Sequence, residues 1–508
     1  MRVAAGRAKP RGVWNAHPDR LREDDQTDMD RKSTKMNFVI YVNGIVLMFF
    51  TFLMTVDAAI FRDTSKEFLT AAILVGLFGA MVTIASKTKF TALKKTQTFV
   101  LTTSVWLIAA IAGAVPLYIW NLTPVDALFE AMSGITTTGS TVMSGLDSTP
   151  KGIIFWRAML QALGGVGFIV TGIALLPILK VGGMQLFRTE SSDKGEKELR
   201  NAAVFASATL QIYLGLIAIC ALIYAIGGMN AFDAITHAMT TLSTGGYSGY
   251  DASFGHFDSA FLQWAATVFM LLGSLPFAWY IRVIYRRTFH SEQVVAMLWA
   301  LLFVIVILSV WLSISNSLPA LDALRMVAFN VVSVVSTTGY ATTDYTLWGP
   351  FAVACFFVLT AVGGSTGSTA GGAKAMRWLL AYRAVVTRLK ITYSPSRVAL
   401  IKYEGQRVED DVMSGVIAFL VFYIGTFGLL TFALAMFGLD FETASSGALT
   451  ALANVGPGVG DIIGPAGNFA TLSNPVKLIL VFGMFLGRLE ILTVFVLFTP
   501  VFWREALA

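Results

Sequence analysis

Charge is scarce in this chain. Of its 508 residues only 13% are Asp, Glu, Lys or Arg, while 56% are hydrophobic. Mean hydropathy is +0.69. A soluble protein of that length needs far more polar surface, so a water-soluble globular class is excluded. Cysteine is nearly absent: Cys220 and Cys355 lie in separate apolar stretches, which excludes a disulfide framework and leaves two small buried hydrophobes. The four histidines, His17, His237, His256 and His290, are scattered. No metal-ligand spacing and no Ser-His-Asp or Cys-His arrangement emerges, so neither an enzyme nor a resident cofactor is expected. The first 36 residues are polar, carry both charge signs and lack an apolar h-region. They read as a disordered cytoplasmic tail rather than a signal peptide. The net charge of +6 would suit nucleic acid. The basic residues instead cluster in alternate loops, as membrane orientation requires.

What the chain does have is apolar stretches of about 20 residues, each long enough to cross a hydrocarbon core. It is therefore expected to be an all-α polytopic membrane protein. It also writes one short phrase four times: Ile135-Thr136-Thr137-Thr138-Gly139-Ser140, Leu242-Ser243-Thr244-Gly245-Gly246-Tyr247, Val335-Ser336-Thr337-Thr338-Gly339-Tyr340 and Leu452-Ala453-Asn454-Val455-Gly456-Pro457. Each copy falls between two long apolar segments, and an acidic residue lies upstream (Asp126, Asp233, Asp322, Glu442). The repeat unit is thus a helix, a short amphipathic helix, a Thr/Gly loop and a second helix. The layout is a polar tail (1–36), a two-helix leading domain (37–97) and pore repeats at 98–200, 201–290, 291–408 and 409–508. Four such units place four re-entrant loops around one pseudo-fourfold axis.

Irregular backbone at membrane depth is tolerated only where protein buries it or where it lines a water-filled cavity. Glycine permits backbone angles that turn successive carbonyls toward an axis. A ring of carbonyls can replace the hydration shell of a monovalent cation. The candidate filter residues are Thr137, Thr138 and Gly139; Thr244, Gly245 and Gly246; Thr337, Thr338 and Gly339; and Asn454, Val455 and Gly456. Copy two leaves open which of Gly245 and Gly246 matches the single glycine elsewhere. With one glycine per repeat in register, fewer consecutive ion sites and weaker discrimination among potassium, rubidium and sodium are expected.

A second glycine-rich run, Gly363 to Gly372, interrupts the second long segment of repeat three. It is not a P-loop, because Ala373 precedes Lys374 and no Ser or Thr follows the lysine. Helix breakage facing the cavity below the filter is one reading, and a plain connecting loop is the other. Arg488 lies inside the last apolar span, where charge is costly and usually functional. It is expected to point into the pore near that run, or else to pair with a group on another span or snorkel inward. Glu490, two positions on, cannot share its helical face.

The loops carrying the phrase hold Lys151, Arg325 and many carboxylates, whereas the opposite loops are basic. This puts both termini inside and brings all four phrases in from outside, with an acidic outer vestibule that concentrates cations.

On these residues the chain resembles the Trk/Ktr/HKT superfamily of potassium transporters, and is most similar to its TrkH/TrkG branch. Further family-like stretches are Val181–Arg188, Asn454–Gly458, Phe485–Glu490 and Leu497–Pro500. The resemblance implies potassium uptake across a bacterial inner membrane, with K⁺ as the transported ion. It also implies a homodimer with one pore per protomer and a cytoplasmic nucleotide-binding regulator of the TrkA kind. The basic stretch from Lys374 to Arg407 is the expected docking surface for that regulator. The resemblance further implies an intramembrane gate at Gly363, Gly364, Gly367, Gly371 and Gly372, acting with Arg488. The near absence of Asp and Glu from the spans favours a channel over a proton- or sodium-coupled symporter. An alternating-access transporter would call for inverted repeats, and these run parallel.

Overall fold

The computed structural model describes residues 18–88, 95–174, 198–396 and 399–507. The family-like stretch 181–188 and the basic residues Lys89, Lys94, Lys180, Lys194 and Lys197 lie outside them. Helix α1 (Pro18–Ile60) begins well inside the polar tail, so part of the segment expected to be disordered is helical. With α2 (Ser65–Ala85) it forms the leading hairpin.

The repeats follow in order. Repeat one comprises α3 (Lys95–Trp120), the short α4 (Pro124–Ile135) and α5 (Lys151–Ala174). Repeat two comprises α6 (Glu198–Ile226), the short α7 (Ala231–Leu242), α8 (Ala260–Gly273) and α9 (Phe277–Arg286). Repeat three has α10 (Glu292–Ser315), the short α11 (Ala320–Val335), α12 (Pro350–Thr360) and α13 (Ala375–Tyr393). Repeat four has α14 (Asp410–Met436), the short α15 (Phe441–Ala453), α16 (Asn474–Arg488) and α17 (Ile491–Phe495). Helix α18 (Pro500–Leu507) closes the described chain. Six of the described helices are long and apolar enough to cross a membrane, and two bent pairs bring the total to eight.

Those bends correct two spans expected to be continuous. Helices α8 and α9 meet at 90°, across a joint that contains Pro276. Helix α16 turns by 110° into α17 at Glu490, whose φ is +59°. The basic stretch Lys374–Arg407 has regular structure of its own. It is mostly α13, followed by a hairpin of β1 (Lys402–Tyr403) and β2 (Gln406–Arg407). Arg383 latches α13 to this hairpin and to α10, donating to Glu292 Oε2 (2.6 Å) and to the Lys402 carbonyl (2.5 Å).

The short helices explain the upstream acids. Thr123 caps α4 by accepting the Asp126 N–H, and Asn230 caps α7 by accepting that of Asp233. Asp440 caps α15 by accepting the Thr443 N–H, a bond that holds its carboxyl below the usual range. A carboxylate in the first helical turn answers both the orphan N–H groups and the positive end of the helix dipole. The core has two large clusters and a small third one, in which Met376 and Leu380 of α13 pack with Tyr403, Val412 and Val416. The leading hairpin shares one large cluster with repeats one and four, and repeats two and three share the other.

Candidate functional site

The four phrases fold alike. In each, the backbone amide one residue before the last glycine of the phrase returns to the pore helix. Thr138 N–H donates to Ser133 O, Gly245 to Thr240 O, Thr338 to Ser333 O and Val455 to Thr450 O, at 2.8 to 3.1 Å. Two left-handed residues then alternate with an ordinary one. Thr137, Thr244, Thr337 and Asn454 have φ of 53°, 53°, 59° and 56°, and Gly139, Gly246, Gly339 and Gly456 have 87°, 71°, 79° and 109°. Gly246 is therefore the counterpart of the other three glycines, and Gly245 occupies the place of Thr138. Gly245 is glycine for a local reason: a Cβ there would stand 2.4 Å from Cδ of Gln161. Gln161 fills that space and holds the loop, donating to Gly245 O and accepting from Tyr247 N–H.

Close contacts join the four loops in a ring. A methyl on Gly139 would fall 2.2 Å from Gly245 O, and on Gly246 1.8 Å from Thr338 O. On Gly339 it would fall 1.9 Å from Val455 O, and on Gly456 2.9 Å from Thr138 O, which closes the circuit. Each glycine thus lies against the carbonyl of the next repeat, in the order one, two, three, four. Asn454 adds a bond across the closing seam, donating to Thr138 Oγ1 (2.9 Å) and Met484 O (2.9 Å). Thr137, Thr138, Thr244, Thr337, Thr338 and Asn454 are all fully buried.

A cavity of about 310 Å³ opens above the ring, with all four glycines at its floor. Its walls are neutral apart from Arg157 and Asp251. Asp251 is the one carboxylate among the described residues that line this cavity. Asp126 and Asp233 sit at helix caps instead, and Asp251 spends its oxygens on the N–H groups of Gly145 and Leu146.

Below the ring lies the glycine-rich run. Gly363 and Gly372, both with positive φ, meet at its neck, where a Cβ on Gly372 would approach Gly363 Cα at 2.5 Å. The loop between them is buried at Ser365, Thr366, Ser368, Thr369 and Ala370. It touches the filter phrases from beneath: Gly371 N–H donates to Thr337 Oγ1 (2.8 Å), and Thr244 Oγ1 donates to Thr369 Oγ1 (3.2 Å). Gly364 packs on Ser274, and the Gly367 carbonyl accepts the Phe277 N–H at the break between α8 and α9. Arg488 ends α16 here, fully buried, donating to Thr369 O (2.9 Å) and Gly164 O (3.1 Å). The loop and the arginine are thus brought together, and the arginine binds carbonyls on two other repeats. Glu490 does not answer Arg488; it pairs with Arg377 at 2.7 Å. Two carboxylates are fully buried, Glu130 among the acids of the phrase-bearing loops and Asp57 in the leading hairpin. Glu130 lies in α4, and Asp57 lies in α1, where it has no hydrogen-bond partner among the described residues.

Residues 64–504 match the TrkH family, described as a cation transport protein. The chain belongs to that family. It is 47% identical, over 81% of its length and 85% of the relative's, to the Trk system potassium uptake protein TrkI of Halomonas elongata. The Trk system potassium uptake protein TrkH of Escherichia coli K12 is 34% identical, over 91% of this chain and 98% of that protein. Among solved structures, the potassium transporter TrkH from Vibrio parahaemolyticus superposes with a TM-score of 0.85 at 31% identity. That match covers 92% of this chain and the whole of the other. A TrkH-family fold is a polytopic all-α membrane fold, and a TrkH-family chain is a transporter rather than an enzyme.

Proposed function

We propose that this chain is the membrane subunit of a potassium uptake system, passing K⁺ through one filter built from its four Thr/Gly loops. The observation that carries the reading is the closed ring of glycine-to-carbonyl contacts between successive repeats. The ion sites are the backbone carbonyls around Gly139, Gly246, Gly339 and Gly456. The C-terminal ends of α4, α7, α11 and α15 lead directly into these loops, so their negative dipole ends favour a cation there. The run from Gly363 to Gly372 is the gate, and Arg488 both pins it and adds positive charge below the filter. Potassium uptake is also what the named relatives are described as doing.

In this reading the protein is a homodimer of the inner membrane with both termini in the cytoplasm. A TrkA-type nucleotide-binding subunit meets the face formed by α13 and the β1–β2 hairpin and moves the gate. Ion-coupled symport is the second reading, and the unpartnered carboxylate of Asp57 is what favours it. Rubidium flux into proteoliposomes, with and without an imposed proton gradient, tests both. Downhill flux that needs no gradient and collapses in Gly339→Val supports the channel. Flux that requires the gradient and is lost in Asp57→Asn supports coupling. Flux indifferent to Gly339→Val overturns the filter.

A further inference from the structure

The residue nine places before the filter glycine is Glu130 in repeat one, His237 in two, Asn330 in three and Gly447 in four. In the first three repeats this side chain reaches forward and bonds the segment just after the filter. Glu130 Oε2 accepts the Val142 N–H (3.0 Å), and its carboxylate also takes the Thr141 hydroxyl (3.0 Å). The His237 ring bonds Ser248 Oγ (3.0 Å), and Asn330 Nδ2 donates to Thr342 Oγ1 (3.0 Å). In repeat four the neighbouring Ser446 does the work, donating to Val459 O (2.9 Å). One position therefore serves as the shoulder clamp of three loops, met by three different chemistries, and its neighbour takes the part in the fourth.

Among the described residues only repeat one uses a charged pair here, and an arginine carries the clamp on to the next loop; between repeats two and three the link is Tyr340, whose hydroxyl donates to His237 O (3.2 Å). Arg157, from α5, donates Nε to Glu130 Oε1 (2.8 Å), Nη2 to Thr141 Oγ1 (3.2 Å) and Nη1 to Ser248 O (2.9 Å). Its guanidinium lies 4.0 Å from the centre of the Tyr247 ring, and Tyr247 returns to repeat one by donating to Glu130 O (2.8 Å). Tyr247 and Ser248 directly follow Gly246. Both partners are buried, at 1% and 0% exposure. A buried pair of this kind contributes little net stability but fixes geometry tightly, since its planar fork satisfies several acceptors at once.

We propose that Glu130 and Arg157 form a positioning unit that sets the spacing between filter loops one and two, and thereby the preference for K⁺ over Na⁺. The inference rests on the four-loop filter reading above. A carbonyl filter discriminates by how its ligands are held, so a clamp spanning two adjacent loops acts on selectivity before it acts on flux. Arg157→Lys keeps the charge and removes the fork. Glu130→Gln with Arg157→Gln removes both charges and leaves no unpaired charge behind, so it carries the test if the lysine variant does not fold.

The measurement is rubidium uptake into proteoliposomes under sodium competition, normalised to monodisperse reconstituted protein, beside a Gly339→Ala control. The expected result is a loss of K⁺-over-Na⁺ preference on the order of tenfold, the scale of one or two charge-assisted hydrogen bonds. Uptake without sodium should change far less. A merely structural pair would lower thermal stability and leave the ratio where it was; that outcome, in both variants, overturns the proposal. If Gly339→Ala leaves uptake and selectivity untouched, the filter reading fails, and this inference fails with it.

Discussion

At the scale of single residues, the four ring glycines do not tolerate a side chain equally. A methyl on Gly246 or Gly339 would sit 1.8 or 1.9 Å from a neighbouring carbonyl oxygen, whereas on Gly456 the nearest oxygen is 2.9 Å away. The left-handed backbone costs any L-residue about 1–2 kcal/mol at each position. Overlap with a backbone oxygen costs more, because it is relieved only by moving the next loop. Alanine at Gly246 and at Gly339 is therefore expected to abolish uptake, and Gly456→Ala to leave the most, as read by rubidium flux per folded protein. Equal loss at all four would mean that backbone strain, not the ring contact, sets the requirement. Gly245 offers a separate test. Gly245→Thr would restore the Thr-Gly phrase of repeats one and three, yet it collides with Gln161. It should lose flux alone and regain part of it when combined with Gln161→Ser.

At the scale of elements, the break between α16 and α17 is held by charge. Glu490 is 3% exposed, adopts a φ of +59° and pairs with Arg377 on α13. Removing one partner of a buried pair strands the other, typically at a cost of about 3–5 kcal/mol. Arg377→Met should lower the melting temperature strongly, and the double variant with Glu490→Met should recover most of the loss. Strict additivity would show that the two side chains do not act as a pair. Arg488 differs, since its partners are the carbonyls of Thr369 and Gly164. Arg488→Ala is expected to loosen the loop and raise basal flux, and unchanged flux would count against a gating role.

These elements also show what was legible beforehand. The short helices and Thr/Gly loops stood out because they recur, and recurrence reveals a pattern that a single Thr-Gly step cannot. The α8–α9 break carried a signal in Pro276. The α16–α17 break carried none, because a glutamate with left-handed backbone is imposed by its tertiary partner. The upstream acids have a readable local signal, since Thr123 before Asp126 and Asn230 before Asp233 are helix-start signatures. Arg157 carries no such signal, because a basic residue in an apolar helix shows its partner only in three dimensions.

At the scale of the whole molecule, a ring of four like loops closes only if all four enter from the same side. Inverted repeats, as in many alternating-access transporters, would alternate their entry. Exposed positions are available to distinguish the two. Lys151 begins α5 in repeat one, Leu347 lies in the repeat-three loop at 79% exposure, and Arg388 lies on α13. The native cysteines interfere little, Cys220 being buried and Cys355 half-buried. In right-side-out membrane vesicles, a membrane-impermeant maleimide is expected to label the Lys151→Cys and Leu347→Cys variants directly. Arg388→Cys should react only after permeabilisation. The arginine and lysine bias of the loops demands this orientation, and the ring demands that the first two positions agree. Labelling of Lys151→Cys and Leu347→Cys from opposite sides would break the parallel arrangement on which the shared filter depends. Labelling of both from the inner side alone would keep the ring and invert the direction in which its gate faces the cytoplasm.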